Sequence, residues 1–236
     1  MRAMLAWLRP LAALLALATL LLLVLSGPGV RFGAFDYRTG LTIFRTWTFY
    51  AAIAAGAVAL LALLIPGARS RGAMVPVVAL VIALAALYPS LAFQSRARSH
   101  PPINDITTDT QDPPAYMTTA RAYPGADMAR QQRAAYADIV PVMLPMPPAQ
   151  AFAKALAVAE AMGWEVVGRD AAGGRIEAVD STKWFGFKDD IAIRVRAADA
   201  GSPNLSRVDI RSKSRVGRGD LGTNAQRIRA YVERLK

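Results

Sequence analysis

The stretch PLAALLALATLLLLVL, residues 10–25, decides how the rest of the chain is read. It carries no charge, and its leucines and alanines fall on every side of a helix. A helix that is apolar all round belongs inside a protein core or inside lipid. With residues 5–8 in front of it, the run reaches the roughly 20 residues that cross ~30 Å of hydrocarbon. Arg2 and Arg9 flank its start, which is the layout of a secretory signal as well as of an anchor. The segment Leu25-Ser26-Gly27-Pro28-Gly29 lacks a small-x-small cleavage pattern, and further apolar runs follow, so an uncleaved anchor is expected.

Those runs cover residues 47–65 and 73–93, separated by Pro66, Gly67, Arg69, Ser70 and Arg71. Pro76 and Pro89 sit near the ends of the third run, where a missing backbone donor costs least. Phe44, Trp47, Phe49 and Tyr50 gather at one end of the second, and Tyr88 and Phe93 at one end of the third. Aromatic rings with polar edges favour the headgroup level. Three transmembrane helices, at about 5–25, 47–65 and 73–93, thus make a membrane domain of residues 1–94. The basic start of the first helix and the Arg69/Arg71 turn place the N-terminus inside. Three crossings then put the remainder outside the cytoplasm, in the periplasm if the membrane is a bacterial inner membrane.

Average properties conceal this division. The 236 residues are 54% hydrophobic with a net charge of +11. Residues 1–94 hold seven arginines and one acid, whereas residues 95–236 hold 21 basic and 16 acidic groups. The absence of cysteine excludes disulfides, thiolate nucleophiles and cysteine metal sites. One histidine, His100, makes histidine-based acid–base chemistry or a multi-histidine metal centre a poor reading. No cofactor is expected, since no phosphate loop, dinucleotide fingerprint or nucleophile elbow occurs.

Residues 95–148 contain nine prolines and show neither helical nor strand periodicity. Ile103, Ile106, Tyr116, Tyr123, Tyr136, Ile139 and Val142 give the segment apolar anchors that a flexible tether does not need, so it is read as an extended proline-rich strap. An α+β domain of residues 149–236 follows. Phe152, Leu156, Ala159 and Met162 share one face of a helix ending at Gly163. Strand-like runs cover 164–169, 175–180, 191–197 and 207–215, and Gly173-Gly174 marks a hairpin turn. Asp220 caps a last helix carrying Leu221, Ala225, Ile228, Val232 and Leu235. The expected architecture is a four-stranded antiparallel sheet with two helices on one face.

Several separated stretches of this half resemble one family: HPPINDITTDTQDPPAY at residues 100–116, Tyr136-Ala-Asp-Ile, Gly163-Trp164, Arg175-Ile-Glu-Ala, Phe185-Gly-Phe-Lys-Asp-Asp-Ile, and the run from Arg211 through Gly219 to Ala225. Together they resemble the bacterial and plastid proteins of Domain of Unknown Function 1499, over nearly all of residues 100–236. The resemblance implies domain limits and a membrane or envelope setting, and no activity.

The densest polar feature is the last strand-like run. Val208 and Ile210 point one way, and Arg207, Asp209, Arg211, Lys213 and Arg215 the other. That run enters the turn Val216-Gly217-Arg218-Gly219 just before the final helix. Arg211, Lys213, Arg215, Arg218 and Gly219 thereby form a candidate anion site, with free amides and a helix dipole beside them. The competing reading is a hydrated sheet face whose arginines pair with Glu177, Asp189, Asp190, Asp209 and Asp220. Asp189, Asp190 and Asp220 form an alternative polar site for acid–base work, although Asp189 and Asp190 are adjacent strand residues and face opposite ways. Asp105, Asp109 and Asp112 lack the spacing of a calcium loop and are better read as turn residues. Nucleic acid is a poor partner, because no stacking platform accompanies the basic strand. The leading expectation is a non-enzymatic, envelope-facing binding or assembly domain, with membrane lipids and another membrane or envelope protein as the expected partners. A hydrolase-like enzyme and a structural subunit of a membrane complex are the alternatives.

Overall fold

The computed structural model describes residues 7–69, 72–199 and 201–236. Expectations placed on Arg2, Leu5, Ala6, Ser70, Arg71 and Ala200 lie outside them. The chain forms two compact units, Met1–Arg96 with Lys183–Gly186, and Ala97–Thr182 with Phe187–Lys236.

In the helical unit, α1 spans Leu8–Arg31. Asp36 caps α2, Tyr37–Thr42, which continues through a π-helical turn, Ile43–Trp47, into α3, Thr48–Leu64. A short α4, Pro66–Arg69, precedes α5, Met74–Ser99. Leu8–Arg31, Tyr37–Leu64 and Met74–Ser99 are long and apolar enough to span a membrane, at 24, 28 and 26 residues. The second begins at Tyr37 rather than 47, and the third ends at Ser99 rather than 93. Hydropathy marks where lipid begins, whereas backbone hydrogen bonding carries a helix on into polar residues.

The packing is inverted relative to a water-soluble bundle. Ala12 and Ala16 on α1, Ala52, Ala55, Ala59 and Ala62 on α3, and Ala79, Ala83 and Ala86 on α5 are buried, while Leu14, Leu17, Leu64 and Leu84 are more than half exposed. Small residues let helix backbones approach closely where leucine can stay in lipid. Buried hydroxyls satisfy themselves locally: Thr19 donates to Leu15 O at 2.7 Å and Ser26 to Leu23 O at 2.7 Å.

In the second unit, β1 (Asp105–Thr107), α6 (Ala126–Ala135) and β2 (Val142–Leu144) precede α7, Pro148–Ala161. Then come β3 (Glu165–Asp170), β4 (Arg175–Ser181), β5 (Lys188–Ala197), β6 (Ser206–Ser214) and α8 (Thr223–Leu235). The strands form one antiparallel sheet in the order β1-β6-β5-β4-β3, with β2 also on β6. The expected four strands are therefore corrected to six. Both added strands come from the proline-rich strap: β1 pairs Asp105–Thr107 with residues 211–213, and β2 pairs Val142–Leu144 with residues 206–208. Each is three residues long, too short for alternation to register in sequence, and each exists because β6 offers its free edge. The strap is likewise not extended throughout, since α6 interrupts it.

Period-two alternation divides the sheet into two faces. Ile176, Ala178, Ile191, Ile193, Val195, Val208 and Ile210 share a core with Ala151, Ala155 and Ala159 of α7 and Ala225, Ile228, Tyr231 and Leu235 of α8. Trp164 stacks on Tyr231 at 5.3 Å, and the Tyr231 hydroxyl donates to Ala155 O at 2.9 Å. Between β3 and β4 the chain turns at Gly174, whose φ of 63° and close approach to Val195 O exclude a side chain.

Candidate functional site

The opposite face carries the charges picked out from the sequence, and the strap lies over it. Arg211 is 2% exposed and donates through Nε and Nη2 to Asp105 Oδ1 and Oδ2, both at 2.8 Å. Its remaining protons reach the carbonyls of Pro114, Arg121 and Ala122 at 3.2–3.3 Å. Its guanidinium carbon lies 4.9 Å from the Tyr116 ring centre and 5.5 Å from that of Tyr123. Burial would lower the Arg211 pKa, but Asp105 outweighs it and the group is held firmly protonated. Burial and the Asp105 charge push the Tyr123 phenol up to about 12. Lys213 Nζ gives Asp105 a further contact at 2.9 Å. The strap thus brings its own carboxylate to the most buried arginine of the face.

Toward the β2 end, Asp209 is fully buried between Arg194 at 3.0 Å and Arg207 at 3.0 Å. These arginines also take strap carboxylates: Arg207 holds Asp109 at 2.5 Å and Arg194 holds Asp112 at 2.8 Å. Burial would raise the Asp109 pKa, but the amides of Asp112 and Gln111 with Arg207 and Arg194 overcome it, and the carboxyl sits below its ordinary value. Asp105, Asp109 and Asp112 thus each face an arginine. Glu177, on the same face of β4, accepts from the amides of Met117 and Thr118 at 2.5 and 2.8 Å and from the Thr118 hydroxyl at 2.5 Å.

The alternative carboxylates are separated. Asp190 accepts from Arg215 Nε and Nη2 at 2.9 and 2.7 Å, and Arg121 lies 2.9 Å from its other oxygen without hydrogen-bond alignment. Asp189 points to the helix side, where Arg227 reaches it at 2.6 Å, Asp180 at 2.8 Å, Ser212 at 3.1 Å and Asn224 at 2.6 Å. Asp220 accepts from the amides of Gly222 and Asn224 at 2.9 and 2.7 Å. Its carboxylate therefore occupies the anion position at the start of α8. Burial, more than these amides offset, raises its pKa.

Of the candidate anion set, Arg211, Lys213 and Arg215 are committed to Asp105 and Asp190. Gly219 lies against the strap backbone, where an added Cβ would stand 3.1 Å from Pro102 Cα. Arg218 is exposed and has no ion pair among the described residues.

A family model described as a protein of unknown function, DUF1499, matches residues 105–235. The chain belongs to this family. The matched region begins at Asp105, the partner of Arg211, and ends in the last turn of α8, so it takes in the whole sheet and both core helices. It includes none of the three membrane-length helices. A comparison with curated proteins finds no match.

Within the family region, sequence reasoning missed Arg227 and Gln132. Arg227 is 7% exposed, and the signal for it was available: Asn224, Arg227 and Tyr231 run along the same helix face as Ile228. Gln132 carried none. Its carboxamide accepts from Thr107 N at 3.0 Å and donates to Thr107 O at 2.6 Å, standing in for a further strand beside β1.

Proposed function

We propose that this protein is a membrane-anchored, non-enzymatic assembly subunit whose sheet domain receives a partner protein at the β3 edge. The observation that carries the reading is the contrast between the sheet's two margins. At one margin β6 is covered by β1 and β2, and β1 is itself closed by Gln132. At the other, β3 pairs with β4 alone among the described residues. A bulge between Val166 and Gly168 leaves Val167 40% exposed beside a concavity of about 420 Å³ lined by Glu160, Val166, Val167, Gly168 and Arg169. Unpaired strand edges are surfaces that other chains can add to, and a bulge restricts indiscriminate pairing while keeping side chains on offer.

Support for a non-enzymatic role comes from the carboxylates. Asp189 and Asp190 lie on opposite faces, each held by an arginine, and Asp220 is occupied as a cap, so no two are poised as an acid–base pair. A placement of the domain on the outer side of the membrane, in the envelope, belongs to the same proposal. Recognition of an anionic group at the α8 turn is a second reading, favoured by exposed Arg218.

A photocrosslinking residue placed at Val167 of the full-length protein in native membranes tests the edge. A discrete protein adduct is expected, absent when the probe stands at Val140, which is 56% exposed elsewhere on the domain. Equal labelling from both positions would sink the proposal. Retention on anionic liposomes that falls in Arg218→Ala would favour the second reading.

A further inference from the structure

The helical unit holds an anion-shaped deficit of its own. Asp36 is the single acid among residues 1–94. It is spent on capping α2, accepting from the amides of Arg38 and Thr39 at 2.7 and 3.1 Å and from the Thr39 hydroxyl at 2.7 Å. Just beyond that cap, Arg38, Leu41, Thr42, Arg45 and Thr46 line a concavity of about 270 Å³. Their spacing places them on one face of the helix over successive turns.

The polar groups there are incompletely used. Arg38 Nε donates to the Tyr37 hydroxyl at 3.1 Å, and Arg45 lies over the Phe93 ring at 4.9 Å. Neither arginine has an ion pair, and the Thr46 hydroxyl has no hydrogen bond, among the described residues. The Thr42 hydroxyl is spent on Arg38 O at 2.8 Å, which leaves Thr46 as the hydroxyl donor of the concavity. Asp36 attracts Arg38 but is itself held by its cap contacts, so two cationic side chains lining one concavity still repel each other, and an anion between them relieves that repulsion.

Position and rigidity point to the source of that anion. Trp47 and Tyr50, 62% and 64% exposed, follow immediately and mark the headgroup level. From residue 47 to Leu64 the helix crosses roughly 27 Å of hydrocarbon at its usual rise. The π-helical turn Ile43–Trp47 lies at the concavity, and π turns recur at functional sites. In it, the Thr48 amide reaches back to Ile43 O, and the Phe44 carbonyl accepts from buried Ser90 of α5 at 3.0 Å. The turn is therefore pinned to a neighbouring helix.

We propose that Arg38, Arg45 and Thr46 form a binding site for the phosphate of an anionic lipid headgroup. The arginines supply forked donors that match phosphate oxygens, Thr46 supplies a hydroxyl donor, and the rings beside them pack on the glycerol and first methylenes. The site belongs to the helical unit and stands independently of the reading at β3.

Native mass spectrometry of the full-length protein in detergent, titrated with phosphatidylglycerol, phosphatidylcholine or inorganic phosphate, tests it. Phosphatidylglycerol adducts are expected to survive at lower lipid concentration than phosphatidylcholine adducts. They should weaken about tenfold in Arg38→Gln/Arg45→Gln, the loss of one to two charge-assisted contacts. Arg69→Gln, outside the concavity, should leave them unchanged. Thr46→Val is a milder variant, expected to weaken binding a few-fold without removing charge. Equal affinity for the two lipids, or adducts unaffected by both the Gln pair and Thr46→Val, overturns the proposal. So does occupancy by inorganic phosphate that phosphatidylglycerol fails to displace, which would make the site one for the free anion.

Discussion

Arg211 shows what the charged face is for. A guanidinium taken almost entirely from water loses far more hydration energy than a surface pair recovers, and it persists only with an aligned counter-ion and filled proton positions. Here Asp105 gives bidentate contact and three strap carbonyls take the rest. Breaking such a pair on one side leaves the other charge stranded, so Arg211→Met is expected to destabilise the sheet domain by about 3–5 kcal/mol. The double replacement Asp105→Leu/Arg211→Met should recover a substantial part of that. Denaturant melts of the full-length protein followed by near-ultraviolet circular dichroism check both. An additive loss would mean that the pair is not coupled. The sequence showed Arg211 on the polar face of its strand but could not show its burial, because its cover is a proline-rich segment about a hundred residues earlier.

At the level of elements, the strap is held by backbone pairing at β1 and β2, by carboxylates on arginines, and by Glu177 holding the amides of residues 117 and 118. Gln132 closes the outer side of β1 in place of a strand. Gln132→Leu keeps the size and removes both partners of Thr107, leaving a buried N–H and C=O unmatched. A loss of about 1–3 kcal/mol is expected, with faster amide exchange confined to residues 105–108. Exchange rates unchanged at Thr107 would show that water satisfies the edge instead. Helix and strand periodicity made α7, β3 to β6 and α8 legible in sequence. The strap strands were not, since three residues carry no period and their hydrogen-bond partners lie on a distant strand.

For the whole molecule, the decisive contrast is between two ways of burying a chain. The membrane-length helices bury alanine and expose leucine, whereas the sheet domain buries isoleucine and valine and turns its charges toward a strap. Orientation follows from neither interior. The near-even distribution of arginines leaves the first helix to decide, and the proposal places residues 97–236 outside the cytoplasm. An alkaline phosphatase fusion after Arg98 is expected to be active in bacterial cells, and a reporter that folds only in the cytoplasm to be silent at the same position. The reverse pair of results would invert the topology and place the β3 edge among cytoplasmic partners.

By itself, the sequence determined that apolar runs of membrane length precede a mixed sheet domain, because a helix of leucine and alanine must be buried all round, in lipid or in protein. Its alternating residues also determined that one sheet face is apolar and the other charged, since that is local backbone geometry. Only the tertiary structure decided that the charged face is covered and neutralised from within. That outcome depends on which distant carboxylate reaches which arginine, an energy set by distance and burial rather than by spacing along the chain. Arg38 and Arg45 are the complement: the sequence places one acid against seven arginines in residues 1–94, and the fold sets two of those arginines beside one concavity.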